Sequence, residues 1–177
     1  MIAVLPPPRR ILGIDPGSRL TGFGVLDIAG DRARYVASGA VQTVGGTFPE
    51  RLRQIFRAVS EIVAEYRPDA IAIESVFVHR NAGSALKLGH ARAAAMCATF
   101  EHDVEVFEYA PREIKLAIVG SGSATKEQVQ HMVTALLTLD GTPSPDAADA
   151  LAVALCHGHR RRLGALYTDA AGIASLS

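Results

Sequence analysis

The sequence predicts an α/β fold, a mixed five-stranded sheet flanked by helices. Three observations carry this expectation. Three strand-like segments near the start are joined by short turns. Helical and strand-like segments then alternate to the end of the chain. The chain has 177 residues, 49% of them apolar, enough for one buried core. Residues 1–163 are therefore expected to form a single domain, and residues 164–177 a flexible C-terminal tail.

Residues 11–14 form a short apolar run that ends in Asp15, which reads as a buried strand. Pro16 and Gly17 then signal a turn. Residues 20–28 read as a second strand whose alternate positions Leu20, Gly22, Gly24 and Leu26 share a face. The two glycines there suit either a bulge or a close approach of backbone or nucleic acid. Residues 31–43 give a third, more polar strand. A helix is expected over residues 49–66. Thr47 and Glu50 have capping-box spacing, and Leu52, Ile55, Phe56, Val59, Ile62 and Val63 recur at helical period. Residues 69–74 read as a strand, 84–100 as an Ala-rich helix and 103–109 as the fifth strand. A short helix over residues 111–119 is followed by a Gly/Ser loop. Thr125 and Gln128 then cap the next helix, and the last helix is expected over residues 146–161.

Composition excludes several classes. No apolar run reaches membrane-spanning length, and residues 1–8 lack the basic and hydrophobic regions of a signal peptide, so a soluble, cytoplasmic protein is expected. Cys97 and Cys156 form no CxxC pair and are expected as buried, reduced thiols. Formal net charge is zero, which by itself does not suggest a nucleic-acid binder. The distribution is more informative. Residues 75–100 contain no Asp or Glu but carry Arg80, Lys87 and Arg92, and Arg160, Arg161 and Arg162 form a second basic group.

Four acids stand out. Asp15 and Glu74 each end an apolar strand, and Asp146 and Asp149 are three residues apart at a helix start, on one face. A buried strand rarely tolerates an unpaired carboxylate, and a hard divalent cation is one partner that would explain two of them. Each also has an ordinary reading: Asp15 as a turn residue, Glu74 as a strand end, Asp146 as an N-cap. His157 and His159 lie too far along the last helix from Asp149 to share its ion, since eight residues span roughly 12 Å. They are expected at the surface or against the helix C-terminus, and His131 in local packing.

The local sequences, taken together, resemble the RuvC family of Holliday-junction resolvases. Residues 11–18 and 21–24 (ILGIDPGS, TGFG) resemble its opening block. Residues 73–77 and 81–89 resemble the second, residues 119–133 the third and residues 146–152 (DAADALA) the fourth, in family order. The resemblance covers about residues 10–160. It implies a ribonuclease-H-like fold and a homodimeric endonuclease that resolves four-way DNA junctions by paired symmetric nicks in recombination and repair. It matches Asp15, Glu74, Asp146 and Asp149 to the metal-binding catalytic acids, with Mg2+ expected and Mn2+ able to substitute, and water as nucleophile. Phe77 matches an aromatic that stacks near the junction centre, where the residue pattern alone also allows a core Phe. Lys115 and Lys126 match lysines near DNA. They are two of only three lysines in the chain, and Lys126 stands at a helix start suited to a phosphate. Arg80, just past Phe77, is expected on a phosphate or as a solvated loop charge. The Ala-rich helix is the candidate dimer surface. Partnership with a branch-migration motor, RuvA and RuvB, is implied by the family alone.

Rival readings remain at the level of sequence. Residues 13–17 also open actin-like kinases, although the second phosphate-binding half such enzymes need hardly fits this length. A junction-binding module without catalysis would not need all four acids, and a relative acting on RNA would differ only in substrate.

Overall fold

The structure, a computed structural model, describes residues 8–75 and 82–174, with side chains as far as residue 164. Its elements in chain order are β1 (Arg9–Asp15), β2 (Leu20–Ala29), β3 (Arg32–Gln42), α1 (Phe48–Tyr66), β4 (Ala70–Glu74), α2 (Ala82–Cys97), β5 (Val106–Tyr109), α3 (Pro111–Val119), α4 (Lys126–Leu136) and α5 (Pro145–Ala174). The strands form one sheet in the order β3-β2-β1-β4-β5. The first three are antiparallel neighbours, as their short turns require, while β4 and β5 join β1 in parallel through helical crossovers. This is the expected mixed five-stranded sheet.

Strand alternation assigns the two faces. Leu12, Ile14, Ile71 and Ile73 pack with Ile55, Val59 and Val63 of α1 and with Ala91 and Ala95 of α2. Ile11 and Ala72 point the other way, into a cluster with Ile114 and Ile118 of α3, Val129 and Val133 of α4, and Leu151 and Leu155 of α5. Asp15 continues the parity of Ile11, and Glu74 that of Ala72, so both carboxylates emerge on the α3–α4–α5 side.

The glycines of β1 and β2 explain how α5 lies so close to the sheet. A Cβ on Gly22 would stand 2.0 Å from the carbonyl oxygen of Asp146, and one on Gly13 would stand 2.1 Å from that of Ala150. Gly24 would meet the Leu151 side chain at 2.8 Å. The glycine face of β2 thus receives helix backbone, and the bulge in β2–β3 pairing falls instead at Val25 and Leu26. Ala147, Ala148, Ala150, Ala152 and Ala154, all buried, supply the matching small surface on the helix.

Several expectations are corrected. α5 does not end near Arg161 but continues to Ala174, so residues 164–174 are helical where a loose tail was expected. The segment is rich in Ala and holds no proline, and Gly164 and Gly172, each an isolated glycine, weaken a helix without stopping it. α2 ends at Cys97 and a short 3-10 turn follows over Phe100–His102, so β5 begins three residues later than expected. Asp103, in the left-handed conformation at φ 50°, closes that turn. Cys97 is exposed, while Cys156 is buried as expected. His157 is fully buried rather than at the surface. Its Nδ1 shares a 2.8 Å hydrogen bond with the Tyr109 hydroxyl and its ring packs on Phe107.

Candidate active site

Register brings the first two acids together. Ile14 pairs with Ile73 across parallel strands, so the next residues, Asp15 and Glu74, end adjacent strands side by side. Their carboxyl groups share a hydrogen bond. Burial, and then the neighbouring Glu74 charge, push the Asp15 carboxyl up to about 8, and burial raises Glu74 as well. Two half-buried carboxyl groups in contact thus both favour the protonated form.

α5 delivers the third acid. Ser144 caps this helix, its carbonyl accepting from Ala148 at 2.8 Å, so Asp146 is not the N-cap but the second helical residue. Asp149, one turn on, faces the same chamber as Asp15 and Glu74. This chamber, about 230 Å3, is lined also by Lys115 of α3 and Lys126 of α4. Asp146 does not line it, although its backbone rests on Gly22, the cross-strand partner of Asp15.

α4 aims a cation inward. Thr125 accepts from the Gln128 amide at 3.2 Å, and the Gln128 side chain accepts from the Thr125 amide at 2.8 Å, a complete reciprocal cap. The helix therefore starts firmly, and Lys126 at its first position reaches Asp149 with Nζ–Oδ2 of 3.1 Å. The Asp149 hydrogen bond, with smaller contributions from the charges of Asp15 and Glu74, raises the Lys126 pKa.

Three predicted acids and both predicted lysines thus share one chamber. Phe77, Arg80 and Asn81 lie outside the described residues. Arg92 has a role that the sequence did not disclose. In the sequence it is one of the basic residues of an acid-free stretch. In the fold its Nε donates to the Glu74 carbonyl at 3.3 Å and its guanidinium pairs with Glu108 at 2.5 Å, so it ties α2 to the ends of β4 and β5. Of the Arg160–Arg162 cluster, Arg160 pairs with Glu113.

Among the described residues no three acidic, histidine or cysteine side chains stand close enough to make a ready-formed cation cage. The chamber holds instead the Asp15–Glu74 pair and the Asp149–Lys126 pair. Its fit to a divalent ion lies in donor chemistry. The donors are hard carboxylate oxygens, and the burial and repulsion that raise Asp15 and Glu74 are what a small cation would offset.

A family model described as crossover junction endodeoxyribonuclease RuvC matches residues 11–157. The chain belongs to the RuvC family. A crossover junction endodeoxyribonuclease RuvC of Chromohalobacter salexigens is 55% identical over 152 residues, covering 86% of this chain and 82% of the relative. That of Alkalilimnicola ehrlichii is 58% identical over 151 residues, covering 85% and 92%. Among solved structures, RuvC of T. thermophilus in complex with Holliday junction substrate superposes with a TM-score of 0.82 at 38% identity, covering 88% of this chain and 96% of that one. The yeast mitochondrial Holliday junction resolvase Ydc2, at 11% identity and a TM-score of 0.63, shows the shared fold alone. RuvC-family membership makes the chain an endodeoxyribonuclease with a ribonuclease-H-like fold and sets aside the kinase reading of residues 13–17. Nucleases of the RuvC family depend on divalent metal ions.

Proposed function

We propose that the protein resolves four-way DNA junctions by paired, symmetric, metal-dependent hydrolysis, with Asp15, Glu74, Asp146 and Asp149 as the metal-binding catalytic acids. The observation that carries this reading is the chamber in which Asp15, Glu74 and Asp149 face Lys115 and Lys126. Mg2+ is the proposed ion, with Mn2+ as a substitute. Such ions, when bound, activate water and stabilise the leaving oxygen of a phosphodiester.

The chain's own groups divide the remaining work. Asp15 and Glu74 hold their oxygens on adjacent strand ends, where the sheet fixes them. Asp149 is set on the same chamber by α5, and Asp146 completes the acid set from the previous turn. Lys126 and Lys115 carry positive charge to the chamber wall, where each can hold a backbone phosphate. Phe77 is assigned to stacking on an unpaired base and Arg80 to a phosphate. Residues 1–163 form the nuclease domain, α2 the homodimer surface, and RuvA and RuvB the branch-migration partners in the cytoplasm. Among the described residues no helix is long and apolar enough to cross a membrane.

The test is a synthetic mobile four-way junction with Mg2+ or Mn2+ and no ATP, beside a linear duplex and an Asp15→Asn protein. Paired symmetric nicks on the junction, lost in Asp15→Asn while binding persists, are expected. Tight binding without cutting, across varied arm sequences and both metals, would leave a non-catalytic junction binder.

A further inference from the structure

The carboxylate chamber has a larger neighbour. A cleft of about 810 Å3 opens on the other side of Asp15, Glu74 and Pro111, the residues common to both cavities. It runs between α2 and α3, and its walls include Pro16, Leu88 and Leu116. The two cavities differ in chemistry. The chamber carries Asp149, Lys115 and Lys126, whereas the cleft's surface is mostly apolar, with Ser75, Arg112 and Glu113 beside the shared Asp15 and Glu74.

α3 separates them. Lys115 and buried Ile114 face the chamber, while Arg112 and Leu116, four residues apart on the same helix face, line the cleft. Leu116 is 58% exposed, an apolar side chain left in water beside a charged site. The helix that bears it is firmly held. Pro111 opens it, the Glu113 carboxylate accepts from the Ala110 amide at 2.9 Å, and Glu113 pairs with Arg160 of α5. Arg112 is exposed and passes close to Gly122, where a Cβ would stand 2.7 Å from the arginine Cγ.

We propose that this cleft is a nucleobase subsite, receiving the base that flanks the phosphate being cut, with Leu116 and Arg112 setting which base is preferred. The proposal rests on the reading of the chamber as the nuclease site. Position carries it. The cleft shares Asp15, Glu74 and Pro111 with the chamber, so a strand with its phosphate in the chamber brings a flanking nucleoside to the mouth of the cleft. Apolar Pro16, Leu88 and Leu116 suit the faces of an unstacked base, and a guanidinium plane can stack on it or bond its edge.

The experiment uses the full-length protein and a junction with 2-aminopurine on either side of the cut phosphate. The described residues lining the cleft include no aromatic ring to quench the probe. Binding in EDTA is expected to raise fluorescence severalfold at one flanking position. Leu116→Gln should reduce that rise by at least half. With Mg2+ it should also flatten, severalfold, the ratio of cutting rates among junctions bearing each of the four bases there. Leu136→Gln, an exposed leucine at the end of α4, should leave both readouts as in the wild type. Unchanged fluorescence and unchanged base preference in Leu116→Gln, with binding and cutting intact, overturn the subsite alone. A wild-type protein that neither binds nor cuts the junction overturns the resolvase reading and the subsite with it.

Discussion

At the chamber, Lys126 holds a carboxylate oxygen of Asp149 that a divalent ion would also claim. An ion bound at Asp149 would therefore compete with an existing ion pair. The lysine is 75% exposed, so the pair is worth no more than about 1 kcal/mol, or about fivefold in affinity. Lys126→Met is expected to bind Mn2+ up to about fivefold more tightly without DNA, by titration calorimetry, while losing cutting rate; Lys126→Arg should keep the wild-type Mn2+ affinity. Equal or weaker Mn2+ binding in Lys126→Met would mean that the ion does not use Asp149. His157 supports a second prediction. Burial holds its pKa down at about 4, below the usual 6.5. Its contribution to stability is therefore complete above the unfolded value and is lost as pH falls through about 6.5 toward about 4. Asp15 acts oppositely, since its raised pKa means that acid returns stability. In an Asp15→Asn background, urea unfolding should lose about 2 kcal/mol between about pH 7 and about pH 5, and His157→Gln should remove most of that loss. An equal slope in the two proteins would show that His157 does not carry it. The ends of apolar runs made Asp15 and Glu74 legible in sequence. The Lys126–Asp149 pair was not legible as a contact, because 23 residues separate them and only the packing of α4 against α5 joins them.

Helix α5 places Asp146 and Asp149, and its close seating on β1 and β2 depends on glycine as well as on the buried apolar contact of Leu151, Val153 and Leu155. The Asp146 carbonyl leaves no room for a methyl group on Gly22, and the clashing atom is backbone, which cannot swing aside. Gly22→Ala is expected to cost about 1–3 kcal/mol of stability by overpacking. It should also lower cutting more than junction binding, because it displaces the start of α5. Gly141→Ala, with nothing within 4 Å, serves as the control. Urea unfolding beside a single-turnover cutting assay measures both, and wild-type cutting in a stable Gly22→Ala protein would refute the seating argument. Sequence pattern found α1 at both ends and α4 at its start, because caps and an apolar stripe mark them. It missed the far end of α5, where neither a proline nor a change of period marks a stop. It recognised the glycine face of β2 without identifying its occupant. Close approach was one of the open alternatives, but pairing that face with the alanines of α5 is a long-range fact.

Among the described residues, α2 is the helix that buries the least of its length. Only Ala91 and Ala95 are buried on it, and Leu86 is 63% exposed. α1, by contrast, buries Ile55, Val59, Ile62 and Val63. Small residues along α2 permit a second helix to approach closely, so the open face suits a symmetric copy of itself. The sequence pointed to this helix through its alanine content and the family resemblance, but composition could not show which face the core leaves open. A charge placed there should separate the subunits with little harm to the fold, because Leu86 contributes little to the monomer core. Leu86→Glu is expected to sediment as a monomer at micromolar concentration with wild-type circular dichroism. Paired cutting needs two sites on one junction, so the monomer should also leave single nicks where the wild type leaves linear products. A Leu86→Glu protein that still sediments as a dimer would place the subunit contact on another face, and its nicks should then remain paired.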